Sequence, residues 1–148
     1  MPTWPHHIAV YGPPGAGKTS LVQAATAHGY SARDLEEDGR TYAERAAALA
    51  GLPETAPCTL FGAADATPED FPAGTRFVLL APSPDELVRR VKGRGDQRNH
   101  KWVEHALQVR REHLVMADEG VFDLVIAVDG PPAVVLDIIV ARFPEPAR

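Results

Sequence analysis

Cysteine is nearly absent from this 148-residue chain, where Cys58 stands alone. One cysteine makes no intrachain disulfide, and no Cys or His partners accompany it at zinc-ligand spacing. Cys58 therefore reads as a small core residue, and the composition suits a reducing, cytoplasmic compartment. Long apolar runs are missing too. The longest, residues 133–141, contains Asp137 and falls well short of the roughly 20 residues needed to cross a bilayer. No basic stretch followed by an apolar run opens the chain, so neither a signal peptide nor a membrane partner is expected. Excess positive charge is also lacking. The net charge of -5 disfavours a nucleic-acid partner, because non-specific affinity for duplex DNA rests on neutralising phosphates.

What is present points to one domain spanning residues 1–148. A hydrophobic content of 45% in a chain of this length supports a single core without a metal or disulfide staple. Charge is unevenly placed. Arg89, Arg90, Lys92, Arg94, Arg98 and Lys101 cluster around Asp96, while Asp34, Glu36, Glu37 and Asp38 form an acidic run. Each segment reads either as a solvated surface or as a local functional device.

Apolar runs alternate with helical periodicity along the chain. Strands are expected at residues 7–11, 30–33, 58–64, 75–81 and 122–128. The run at 75–81 is the clearest, apolar nearly throughout, as a sheet covered on both faces requires. Helices are expected at 17–28, across 34–49 with a break near Gly39, at 85–91 behind Ser83 or Asp85 as cap, at 97–117, and at 131–140 behind two prolines. Trp102, Ala106, Val109 and His113 recur at helical spacing and mark a buried face, which makes Trp102 a core anchor. The alternation predicts a three-layer α/β fold with a parallel sheet of about five strands flanked by helices.

Between the first strand and the first helix lies Gly12-Pro13-Pro14-Gly15-Ala16-Gly17-Lys18-Thr19, followed by Ser20. Glycines here let successive backbone N–H groups turn inward, and the helix that follows adds its positive end. Lys18 can reach the β- and γ-phosphates of a nucleoside triphosphate, and the Thr19 hydroxyl suits Mg2+. Residues 12–20 are therefore the candidate cofactor-binding loop, with ATP and Mg2+ as the expected cofactors. No Asn/Thr-Lys-x-Asp segment marks a guanine pocket, and the loop itself does not choose between ATP and GTP.

With this loop in place, the chain resembles the nucleoside and nucleotide kinase group of small P-loop phosphotransferases, which includes adenylate, guanylate, shikimate and gluconate kinases. The likeness covers most of the chain in layout and is specific at residues 12–19. It implies a three-layer P-loop fold and Mg-ATP-dependent phosphoryl transfer to a small-molecule acceptor. A nucleoside or nucleotide is the first expectation, with a sugar or another small alcohol close behind. In several such kinases a carboxylate at the end of the second strand faces the acceptor hydroxyl. By resemblance that residue is Asp34, with Glu36 and Glu37 as alternatives and a helix N-cap as the competing role. The basic segment near 89–101 resembles the lid of these enzymes. There Arg94 and Arg98 would act with Lys18 on the transferring phosphoryl group, with Arg90 beside them. Asp129 and Gly130 resemble the loop that supports the base. Asp65, after the third strand, is the candidate second ligand of Mg2+ alongside Thr19, with a turn aspartate as the alternative. The acceptor-side insertion near 35–57 is short and offers Arg40 and Arg45 as its cations.

Three other readings use the same loop. One is an NTPase working as a switch or motor, although no room remains for a separate helical lid domain. Another is a kinase of nucleic-acid ends or modified bases. The third is a nucleotide-binding protein without chemistry. The six histidines show no ligand spacing, and no obligate protein partner is evident.

Overall fold

Strands this short cannot satisfy their own backbone groups, so they pair side by side into one sheet. The computed structural model describes residues 6–53, 55–63, 65–93 and 99–143, with backbone only for Asp38, Asn99 and His100. The elements are β1 (Ile8–Tyr11), α1 (Lys18–Ala27), β2 (Ala32–Asp34), α2 (Leu35–Asp38), α3 (Tyr42–Ala50), β3 (Leu60–Gly62), β4 (Arg76–Leu80), α4 (Pro84–Lys92), α5 (Asn99–Asp118), β5 (Leu124–Ile126) and α6 (Pro132–Arg142). A 3-10 turn at Pro68–Asp70 lies between β3 and β4.

The strand order is β2-β3-β1-β4-β5. Every neighbouring pair runs parallel, with Ala9 of β1 in register with Phe61 on one side and Phe77 on the other. Residues along each strand alternate between the two faces. Ile8, Val10, Leu60, Val78, Leu80 and Ile126 point to a core shared with Leu21 and Ala25 of α1 and with Leu136 and Ile139 of α6. Ala9, Tyr11, Phe61 and Leu79 point the other way, toward Leu35, Leu49 and Phe71, with Leu114 and Ala117 of α5 beside them. A smaller core joins Leu87 and Val91 of α4 to Ala106 of α5. The result is the expected three-layer α/β fold around a five-stranded parallel sheet.

Several strands are shorter than the apolar runs that announce them, for local hydrogen-bonding reasons. The Tyr30 amide donates to the Ala25 carbonyl at the end of α1, 3.0 Å away, and so is unavailable to β2. The Thr59 amide donates to His7 Nδ1 at 3.0 Å, which delays β3 until Leu60. The break at Gly39 occurs as expected, and Arg45 Nη1 reaches back to its carbonyl at 2.9 Å. Ser83, not Asp85, caps α4: its side chain accepts from the Glu86 amide at 3.2 Å. Among the described residues, no helix is long and apolar enough to cross a membrane.

Candidate functional site

Parallel strands deliver the loops after β1, β2 and β3 to one edge of the sheet. In open α/β sheets that edge is where ligands bind, at the point where the connections diverge. The chain leaves central β1 there and turns through residues 12–17 into α1. Gly15 and Gly17 have φ of 87° and 101°, a left-handed conformation that side chains rarely adopt. A Cβ on Gly15 would also stand 2.9 Å from Val91 Cγ2 of α4. Gly17 is the N-cap of α1, and no side chain bonds to that end. The first-turn amides of α1 therefore face a cleft of about 710 Å³ lined by residues 13–21. Lys18 folds back so that Nζ donates to the Gly12 carbonyl. An ammonium group beside the uncapped N-terminal end of a helix suits a polyanion.

Asp34 is the last residue of β2 and the N-cap of α2. Of the two sequence readings of this residue, the helix cap is observed. Its Oδ1 accepts from the Glu36 amide at 3.1 Å, and its Oδ2 accepts from the Thr19 hydroxyl at 2.8 Å. Asp34 is buried at 7% exposure. Glu36, two residues on, is exposed and lines the same cleft as Lys18 and Thr19.

The far side of the cleft is built from α4 and the loop after β5. Arg90 donates to the Ala16 carbonyl at 3.1 Å and to the Asp129 carbonyl at 3.5 Å, bridging the glycine loop to that second loop. Its Nε is held by Glu86 at 2.9 Å, and Glu86 also pairs with Arg89. These two guanidinium groups, Arg89 first, pull the Glu86 carboxyl down to about 2. Asp129 accepts from the Ser83 amide and hydroxyl, each at 2.8 Å, so its carboxylate fastens the loop after β5 to the loop after β4. Asp129 and Gly130 line the cleft with Pro131 and Pro132.

Sequence reasoning missed two contributors. Glu86 was legible as an acid three and four residues before two arginines on one helix. Trp102 lines the cleft as well as packing against Leu87, Val91 and Ala106, so its expected role as a core anchor is only half of its position. Asp65 is exposed on the loop after β3, where its carboxylate pairs with Arg45; neither residue lines the phosphate cleft. Arg94 and Arg98 lie outside the described residues.

No family model matches the chain, and no curated protein is similar to it in sequence. Solved structures share its fold. A gluconokinase from Sinorhizobium meliloti 1021 superposes with a TM-score of 0.63 at 21% identity, over 95% of this chain and 92% of its own. A shikimate kinase from Bacteroides thetaiotaomicron gives 0.67 at 17% identity, over 92% of this chain and 97% of its own. A shikimate kinase from Acinetobacter baumannii, in complex with shikimate, gives 0.64 at 18% identity, over 91% and 90%. This chain has the fold of the small P-loop kinases. Coverage is nearly end to end in both directions, so the likeness is of the whole domain and not of the glycine loop alone.

Within this fold, Lys18, Thr19 and Asp34 are the residues that could hold a magnesium nucleotide. Among the described residues, no group of three or more His, Cys, Asp or Glu side chains could hold a metal. Mg2+ does not need such a cage, since it keeps several waters and takes one or two carboxylates together with substrate phosphates. A threonine hydroxyl already bonded to a buried carboxylate, beside the glycine turn, is a donor set of that kind.

Proposed function

We propose that this chain binds Mg-ATP on residues 12–20 and transfers the γ-phosphoryl group to the hydroxyl of a small acceptor, a nucleoside or nucleotide before other alcohols. The Thr19–Asp34 hydrogen bond at 2.8 Å carries this reading. It joins the phosphate loop to the acceptor-side strand, so one carboxylate stands between the two substrates' expected positions.

Lys18 and the loop amides would fix the β- and γ-phosphates. Thr19, and Asp34 through water, are the residues that would hold Mg2+, which when bound neutralises charge on the phosphate oxygens. Asp65 remains a candidate only if it leaves Arg45. The acceptor oxygen attacks phosphorus as the bond to the ADP oxygen breaks. Its proton passes to Asp34 or Glu36, and Arg90, Arg94 and Arg98 offset the charge that develops on the transferring group. The solved kinases that share this fold support a small-molecule acceptor.

The test is a screen of labelled γ-phosphate transfer to nucleosides, nucleoside monophosphates, polyols, hydroxy acids and oligonucleotides. Transfer to at least one small molecule is expected. Transfer to oligonucleotides alone, or hydrolysis driven only by a macromolecular partner, would replace this reading with a nucleic-acid kinase or a motor.

A further inference from the structure

The wall of the cleft beyond the glycine loop holds a carboxylate that is already engaged. Asp129 Oδ1 accepts from the Ser83 amide and Oδ2 from the Ser83 hydroxyl, each at 2.8 Å. The same hydroxyl oxygen accepts from the Glu86 amide at 3.2 Å, which fixes Ser83 at the start of α4. Asp129 lines the cleft together with Pro131, Pro132, Leu80 and Val135, so its neighbours there are apolar. On the opposite side, after β2, the lining residue is the exposed carboxylate Glu36. Arg90 reaches the Ala16 carbonyl at 3.1 Å and the Asp129 carbonyl at 3.5 Å, so the backbone at 129 stands one guanidinium width from the phosphate loop. A nucleotide with its γ-phosphoryl group toward Asp34 and Glu36 has its base directed to the other wall. That wall offers the apolar surface on which a flat ring is held.

We propose that the Ser83–Asp129 pair selects the base: by holding both oxygens of Asp129, Ser83 withholds from the cleft an acceptor suited to guanine, and the site takes adenine nucleotides in preference to guanine nucleotides. The proposal rests on the nucleotide site of the kinase reading above and deepens it. Guanine presents two adjacent donors, N1–H and the N2 amino group, beside the O6 acceptor. A carboxylate only accepts, and its two oxygens match those two donors. With both oxygens turned to Ser83, that match is lost. Pro131 and Pro132 bring no N–H for O6. The Pro131 carbonyl already accepts from the Val134 and Val135 amides at 3.0 and 3.2 Å. Guanine would therefore bury unpaired donors at this wall, at a cost in affinity. Adenine carries one amino group and no N–H on its ring edge, so it buries fewer. Discrimination here comes from a partner held back, not from a clash.

Calorimetric titrations of Mg-ATP and Mg-GTP compare wild type, Ser83→Ala, Ser83→Pro and the double variant Ser83→Pro/Asp129→Ala. Ser83 has φ of -57°, an angle that proline fixes, so Ser83→Pro removes both donors without straining that angle. Wild type is expected to bind ATP about tenfold or more tighter than GTP. Equal or tighter binding of GTP overturns the proposal, and this arm needs no variant. Ser83→Ala frees one carboxylate oxygen and Ser83→Pro frees both. GTP affinity is expected to rise by about threefold in the first and about tenfold in the second. The double variant, with no carboxylate to free, should lose that gain. Loss of the α4 cap would weaken both nucleotides alike, so it does not imitate a gain confined to GTP. Unchanged or reduced GTP affinity in Ser83→Pro overturns the proposal, and so does a gain that survives removal of Asp129. Titration reads binding without turnover. Selective binding of ATP with no transfer to any acceptor would sink the kinase reading and leave base selection standing.

Discussion

Thr19 and Asp34 share a hydrogen bond of 2.8 Å that ties the first turn of α1 to the end of β2. The same carboxylate caps α2 through the Glu36 amide. One buried group therefore holds the start of α2 and the first turn of α1 together. Its expected catalytic use is separable from its structural use, because an asparagine can still accept from the Glu36 amide through Oδ1 and donate to the Thr19 oxygen through Nδ2.

Asp34→Asn should accordingly leave stability within about 1 kcal/mol of wild type, the scale of a lost or weakened cap. Phosphoryl transfer should fall by about two to three orders of magnitude, the scale of removing one group aimed at developing charge. The Mg2+ concentration for half-maximal rate should rise. Denaturant unfolding and steady-state rates across a Mg2+ series check this, and a variant as active as wild type would contradict it.

Gly15→Ala tests the loop geometry. A methyl group there meets Val91 Cγ2 at 2.9 Å and imposes a side chain on a φ of 87°. Unfolding free energy should drop by about 1–3 kcal/mol from strain alone. Nucleotide affinity should drop as well, since relief of the contact moves the loop amides. Unchanged urea unfolding would show that the turn is not held as described.

His113 offers a pH test. Its ring packs against Tyr11 and Phe122, with centroids 6.0 and 6.4 Å away, and Nδ1 has no partner among the described residues. Burial first, and then the Lys18 charge, lower its pKa from 6.5 to about 4. The folded protein thus favours neutral His113. That stabilisation is fully present above pH 6.5 and is lost as pH falls toward 4. His113→Phe should flatten the wild-type slope of stability across this window. Urea unfolding at several pH values compares the two proteins, and identical slopes would contradict the assignment.

Much of this was legible in the sequence because local patterns and long-range packing agree. The run at 75–81 is apolar on both faces and becomes β4, the strand beside β1. The glycine spacing at 12–19 needs the left-handed backbone that Gly15 and Gly17 adopt. Asp34 was legible as cap or acceptor-side carboxylate, and the structure shows the cap, with a second bond to Thr19. What could not be read depends on contacts between distant segments. The Arg45–Asp65 pair and the Ser83–Asp129 clamp join residues far apart in the chain, and no periodicity announces them. The ends of β2 and β3 were misjudged for a related reason. Tyr30 and Thr59 spend their amides on the Ala25 carbonyl and the His7 ring, partners that hydropathy does not reveal.

The most direct test of the whole account is a calorimetric titration of Mg-ATP into wild type and Lys18→Ala. Saturable one-to-one binding to wild type is expected, weakened by at least about tenfold when the ammonium group is removed, in line with the strength of a charge-assisted contact to phosphate. Absence of binding to wild type at millimolar nucleotide, or equal affinity in the two proteins, would contradict it.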